Sequence, residues 1–230
     1  MLFDYPLQPA TLLRRYKRFL ADVELADGRQ LTVHCPNTGS MLGCSDPGLP
    51  AMISRSDNPK RKYPHTLEMV KVNGNWVGIN TSLTNRLVRE ALENSLFPEL
   101  GKFAQIKPEV KTGNSRLDFL LSGGEQQTYV EVKNCTLARG NRALFPDAVT
   151  ARGTKHLKEL PRLHEEGHRA ALIFCVQMSN VASFSPASDI DPVYAETLAE
   201  VAGKGVLPMA CRADVTPEGI SIKERLPVEV

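Results

Sequence analysis

The sequence predicts an α+β chain of two domains: a small five-stranded β-barrel over residues 1–80, then a mixed sheet flanked by helices over residues 81–230. Three observations carry this. Asp27-Gly28 and Asn73-Gly74 each stand between short runs rich in apolar and β-branched residues, the signature of a tight hairpin turn. From residue 81 onward, helical spacing alternates with strand-like runs. Residues 170–176 (AALIFCV) are apolar throughout, as a central strand buried on both faces is.

In the first domain, residues 19–25 and 30–35 flank one turn, residues 67–72 and 76–79 flank the other, and residues 51–54 form a short strand between them. Residues 35–41 (CPNTGSM) form a loop. Its Thr38 and Ser40 hydroxyls and Gly39 amide either meet a phosphate or only close a turn. Residues 57–62 (DNPKRK) read as an exposed, mobile loop.

Asn80-Thr81-Ser82 opens a helix with a hydroxyl N-cap, and Leu83, Leu87, Ala91 and Leu92 mark its apolar face. Phe97-Pro98 ends this helix, which bridges the domains. Residues 102–110 are a strand. Residues 134–149 show no period, and Arg139-Gly140-Asn141-Arg142 reads as a mobile loop at the edge of a site. Residues 154–164 are helical, with Pro161 expected to kink or shorten the helix. Asp191-Pro192 is an N-cap followed by an N1 proline, and residues 206–211 and 220–222 complete the sheet.

The most informative stretch is residues 115–134 (SRLDFLLSGGEQQTYVEVKN). Two runs of period two surround Ser122-Gly123-Gly124, so it reads as an antiparallel hairpin. A turn centred between Gly124 and Glu125 sets Asp118 opposite Glu131, with Cβ atoms ~5 Å apart. Lys133, two residues on from Glu131, points to the same side. Like charges opposed on a sheet repel, so the pair calls for a cation. Hard carboxylate oxygens suit magnesium or manganese, and the lysine could then hold water or meet charge growing on phosphorus. The plain alternative is a solvated, charged strand face.

Composition is that of an ordinary soluble globular protein, with 42% hydrophobic and 23% charged residues. No apolar run reaches membrane-spanning length, and the N-terminus lacks the basic and apolar regions of a signal peptide, which predicts a cytoplasmic location. The five cysteines lack C-x-x-C spacing and read as reduced thiols; His34-Cys35 and Cys44 do not make a zinc set. Residues 1–80 hold ten Lys and Arg against seven Asp and Glu, whereas the rest hold eighteen against nineteen. The excess sits in Arg14-Arg15-Tyr16-Lys17-Arg18 and Lys60-Arg61-Lys62-Tyr63. Cations beside aromatic rings suit nucleic acid; a solvated basic face is the alternative. Arg152, Lys155 and His156 crowd the start of a helix, an end that favours anions. His156 is either a phosphate-contacting or structural residue, or a general base.

Asp118 followed by Glu131-Val132-Lys133 resembles the D…(D/E)-x-K core of the restriction-endonuclease-like nucleases, with Leu117 where a proline usually precedes the aspartate. Across nearly the whole chain, CPNTGSM at 35–41, SDNPKRKYPHT at 56–66, FPDAVT at 145–150, Arg152-Gly153 and Lys155-His156-Leu157 closely resemble the bacterial sugar fermentation stimulation protein A family. That resemblance implies an OB-like barrel followed by a nuclease-like domain, and binding of DNA with little sequence preference. It also implies a divalent-metal site at Asp118 and Glu131, joined by Glu90 or Glu93 from the first helix. The function expected is metal-dependent phosphodiester hydrolysis. The alternative is a non-catalytic DNA-binding regulator of sugar (maltose) metabolism that keeps the nuclease fold as a scaffold.

Overall fold

The computed structural model describes residues 1–4, 6–113 and 115–230. Strands β1 (Gln8–Tyr16), β2 (Leu20–Leu25), β3 (Gln30–His34), β4 (Pro50–Arg55) and β5 (His65–Val72) pair in the order β3-β2-β1-β4-β5, and a parallel bridge from His34 to Thr66 closes them into a five-stranded barrel. The expected count of strands is met with one exchange. The first barrel strand is β1, which sequence reading passed over, whereas β6 (Asn75–Gly78) only extends β5 as a hairpin. A register shift between Leu12 and Arg14 breaks the alternation of β1, and only Leu12 of its side chains is buried. Asp27-Gly28 and Asn73-Gly74 make the two turns, with Gly28, Asn73 and Gly74 at positive φ.

Helix α1 (Thr84–Glu93) follows a short turn capped by the Asn80 side chain, which accepts from the Ser82 amide. The second domain is built on β7 (Gln105–Thr112), β8 (Ser115–Ser122), β9 (Thr128–Cys135), β12 (Arg169–Val176), β14 (Leu207–Thr216) and β15 (Gly219–Leu226), in the order β15-β14-β12-β9-β8-β7. Strand β12 runs parallel to both neighbours and the outer pairs are antiparallel, so the sheet is mixed. Every residue of β12 after Arg169 is buried, as its unbroken apolar run requires.

Helix α1 packs on one face with Phe119, Val130, Ala171 and Ile173. Helices α2 (Ala151–Glu165) and α3 (Pro192–Gly203) cover the other, with Leu172 and Phe174. Two sequence expectations fail here. The segment 139–142 is not a loose loop but the turn of a hairpin, β10 (Leu137–Arg139) and β11 (Arg142–Phe145), which pairs on with β13 (Ser183–Pro186). Of the kink or shortening expected at Pro161, the shortening does not occur: α2 runs on to Glu165, with the proline and its neighbours Leu160 and Leu163 buried so that packing holds the helix. Among the described residues no helix is long and apolar enough to cross a membrane.

The domains share their cores. One apolar cluster runs from Leu12 and Val33 of the barrel to Leu157 and Leu198 of the second domain. At the seam the Gly78 amide donates to the Gln177 carbonyl at 2.9 Å. Gln177 Nε2 donates to Asn134 Oδ1 at 2.5 Å and to Thr84 Oγ1 at 3.2 Å, tying the end of β12, β9 and α1 together. A Cβ on Gly78 would run into the Gln177 side chain. Gly78→Ala should therefore destabilise the whole chain by ~1–3 kcal/mol, the usual scale of overpacking. Denaturant unfolding would show this as a lower midpoint in one transition; an unchanged midpoint would mean the seam yields freely.

Candidate functional site

Strands β8 and β9 pair with Phe119 opposite Val130 and Leu121 opposite Thr128, the register a turn between Gly124 and Glu125 dictates. The ladder stops one residue short of Asp118. From there β8 leaves β9, and the Asp118 carboxylate fills the gap. Its Oδ2 accepts from the Val132 amide at 2.7 Å and its Oδ1 accepts from Asn85 Nδ2 of α1 at 2.8 Å. Burial, reinforced by the negative charge of Glu131, pushes the Asp118 carboxyl above the ordinary carboxylate range.

Glu131 is 3% exposed on a central strand. Its Oε1 accepts from Lys133 Nζ at 2.6 Å and lies 2.7 Å from His156 Nδ1. Its Oε2 is buried with no hydrogen-bond partner among the described residues. An ionised oxygen left this way costs several kcal/mol unless a cation or donor reaches it. The fully buried Tyr194 hydroxyl is likewise without a partner among the described residues. Burial first, then the charge of Glu131, raises its pKa well above the usual phenol value.

Helix α2 delivers His156. Its N-cap, Thr150, accepts from the Gly153 amide at 3.1 Å, and the Thr150 amide donates to Asp191 Oδ2 at 2.8 Å. Asp191 Oδ1 in turn caps α3 through the Tyr194 amide at 3.0 Å, so one aspartate registers both helices on the sheet. Arg116, Asp118, Glu131, Lys133, Arg152 and His156 thus line one open pocket of about 340 Å³.

The other residues singled out by sequence go elsewhere. Glu90, expected beside the two carboxylates, pairs instead with the Met1 amine at 3.1 Å and with Arg86 at 3.6 Å, while Glu93 pairs with Arg89. Neither lines the pocket, and the residue α1 offers to Asp118 is Asn85, one turn nearer the helix start. Lys155 borders a separate groove with Val149 and Val193. Arg14 is paired with Asp22 at 2.8 Å. Arg15 donates to the carbonyls of Arg18, Asn37, Gly39 and Ser40, so it builds the 37–40 loop rather than presenting a free charge. Lys17 and Arg18 are exposed in the β1–β2 turn, and Lys60 and Lys62 are exposed in the β4–β5 loop. Arg61 donates to Thr66 Oγ1 at 2.9 Å. Asn85 and Arg116 were missed; a polar residue beside an apolar helix face and a basic residue two before Asp118 were the only signals.

A divalent cation fits this donor set in one respect: hard oxygens, with Glu131 Oε2 unsatisfied and Asp118 held under charge repulsion. Among the described residues no three His, Cys, Asp or Glu side chains group closely enough to make a complete protein cage. Two carboxylates, with water and phosphate oxygens completing the shell, are nonetheless the usual magnesium arrangement.

Residues 13–79 match the family described as the SfsA N-terminal OB domain, and residues 82–219 match the sugar fermentation stimulation protein RE domain. The chain is 54% identical over 231 residues to a sugar fermentation stimulation protein homolog of Geotalea uraniireducens, covering 100% of both. It is 57% identical over 224 residues to the homolog of Pelobacter propionicus, covering 97% of each. A solved structure of Pyrococcus furiosus SfsA in complex with Ca2+ superposes with a TM-score of 0.91 at 32% identity, covering 100% of this chain and 98% of that one.

The raised Asp118 pKa has a pH signature. The proton is bound more tightly in the folded state, so stability is fully present below the ordinary value of 3.8 and declines as pH rises through the raised one. Asp118→Asn lacks that decline. In chelator, the melting temperature of Asp118→Asn relative to wild type should climb from acid towards neutral pH; a flat difference across that range would contradict the geometry.

Proposed function

Because the chain belongs to the sugar fermentation stimulation protein (SfsA) family, we propose that it binds DNA with little sequence preference and hydrolyses phosphodiester bonds at the Asp118–Glu131 pocket. The observation that carries this is Glu131: a buried carboxylate with Lys133 and His156 on one oxygen and no partner among the described residues on the other. That arrangement is costly as a structural device and useful as a site that takes up a cation with its substrate. The Ca2+ recorded with the Pyrococcus protein supports a divalent ion in the family, and magnesium or manganese is the proposal here.

Such an ion, when bound, polarises the phosphate and lowers the pKa of its water. Asp118 and Glu131 would hold it, and Asn85 and the Val132 amide keep Asp118 oriented. Lys133 and His156 share Glu131 Oε1, so their positive or donor groups stand at the pocket wall where charge grows on the phosphate. Arg116 and Arg152, on the rim, hold the strand by its phosphates. The relatives are named for stimulating sugar fermentation, which supports a second reading of this chain's role in sugar metabolism: a regulator of sugar (maltose) metabolism, here taken to bind DNA without cutting it.

Nicking of plasmid and degradation of single strands, each with magnesium or manganese, separate the two. Wild type should cut; Lys133→Ala should retain the metal-dependent rise in melting temperature but lose ~10²-fold or more of the rate, as removal of a transition-state donor does. Asp118→Ala should lose both. A wild type without turnover on any substrate would favour the regulator.

Binding has its own test. Replacing Lys60, Arg61 and Lys62 by alanine should weaken all DNA sequences about equally. It should also flatten the slope of log affinity against log salt by ~0.9 for each phosphate no longer neutralised. One sequence preferred by ~10³ over the rest would exclude phosphate-dominated binding.

A further inference from the structure

A second cavity, of about 560 Å³, opens where the barrel meets the nuclease-like domain. Arg18, Thr38, Thr81, Asn134, Thr136 and Ala148 are among its walls. It shares Phe145 and Thr150 with the Asp118 pocket, so the two form adjoining compartments on either side of the segment that leads into α2. We propose that this interdomain cleft holds one unpaired nucleotide of a nucleic-acid strand whose neighbouring phosphate lies at Asp118 and Glu131. The protein then acts on single strands; this rests on the reading of the Asp118 pocket given above.

Three features carry the inference. First, the cleft is built in advance. Ser40 Oγ donates to the Asp147 carbonyl at 2.7 Å, the Met41 amide donates to Asp147 Oδ2 at 2.8 Å, and Thr81 Oγ1 donates to the Pro36 carbonyl at 3.0 Å. These bonds fix the 36–41 loop of the barrel against the second domain, and Arg15 stiffens the loop from behind through its carbonyls. The approach is close: a Cβ on Gly39 would lie 3.1 Å from Asn37 Oδ1 and 3.2 Å from Asp147 Oδ2.

Second, the lining matches a nucleotide. Asp147 is the one carboxylate among the lining residues, and it is occupied by the Met41 amide. Arg18 is exposed and, among the described residues, holds only the Thr38 carbonyl, at 3.3 Å, leaving most of its donors for a phosphate. Hydroxyls of Thr38 and Thr136 and the side-chain nitrogen of Asn134 are offered for sugar and base contacts, Thr81 Oγ1 can still accept while donating to Pro36, and the half-buried Phe145 ring is an apolar wall. Third, the size suits one unit. The volume falls within the ~300–1,000 Å³ of small-ligand sites, whereas two paired strands need far more. A duplex could reach such a compartment only by extruding a nucleotide, which means breaking its pairing and stacking first.

The test is fluorescence anisotropy with a labelled short single-stranded DNA in chelator, where no cutting occurs. Competitors are the duplex of the same sequence and a free mononucleotide. Wild type should prefer the single strand by about tenfold or more, the scale of one stacked base. Ala148→Trp, which fills the cleft from an exposed position and touches none of its ties, should erase that preference. Arg18→Ala should weaken single-strand binding about tenfold and flatten its salt dependence. Both variants should melt like wild type; should Ala148→Trp unfold, Arg18→Ala decides.

Equal affinity for single strand and duplex, or both variants binding like wild type, overturns the cleft, and the Asp118 pocket is then judged by nicking alone. A mononucleotide that fills the cleft while the strand stays bound also overturns it, since the cavity would then be an effector site. If strands bind in the cleft as described but wild type never cuts, the hydrolysis reading fails and the cleft stands.

Discussion

A carboxylate on the middle strand of a buried sheet must be answered by its surroundings, and Glu131 sets that requirement. Its position between β8 and β12 removes it from water, so Lys133 from the same strand and His156 from α2 converge on one of its oxygens. Helix α2 can deliver His156 only if its first turn is fixed. Thr150 caps that turn, and Asp191 holds Thr150 while capping α3. The pocket therefore depends on the relative placement of two helices and a sheet, and one aspartate outside the pocket governs it. The unmet oxygen of Glu131 is what distinguishes this site from an ordinary buried ion pair. Breaking such a pair by removing one partner is strongly destabilising, and on the reading proposed above a cation would offset the cost of the oxygen left without a partner.

The barrel is not a tethered accessory. Its core continues into that of the second domain, and α1 packs beside the barrel's Met52 and Met69 as well as the sheet. The backbone bond from Gly78 to Gln177 and the bridge from Val77 to Met178 join β6 to the chain leaving β12. Asp147 adds a polar clasp between the 36–41 loop and the chain entering α2. Whatever binds between the domains meets two fixed walls, which keeps the ordering cost of binding low.

Sequence reading succeeds where local chemistry dominates. The turn residues at 122–124 and the period-two runs beside them determine the register of β8 and β9, and with it the meeting of Asp118 and Glu131. It fails where tertiary contacts decide. Strand β1 is disguised by its bulge and its two arginines; Pro161 stays helical because its neighbours bury it; residues 139–142 turn a hairpin because β13 pairs with it. Glu90 is expected at the metal site only because the resemblance to nucleases implies a glutamate from the first helix there. Helix rotation instead turns it towards the chain's amino group and gives Asn85 to Asp118. No period in the sequence reports which of two helix faces a distant strand will meet.

Charge shows the same division. The cluster at 14–18 counts four cations, yet Arg14 is matched by Asp22 and Arg15 by backbone carbonyls. A guanidinium with several donors in a rigid fork suits this internal bracing, whereas an ammonium would reach fewer carbonyls. Lys17 and Arg18 face solvent without a carboxylate partner among the described residues, and the left-handed backbone of both residues turns the hairpin tip there. Two consecutive non-glycine residues at positive φ are costly, at about 1–2 kcal/mol each. Glycine would form the turn with less strain but could not carry the charge. Arg18 reaches the Thr38 carbonyl from this tip, and the 37–40 loop beside it is the nearest edge of the interdomain cleft.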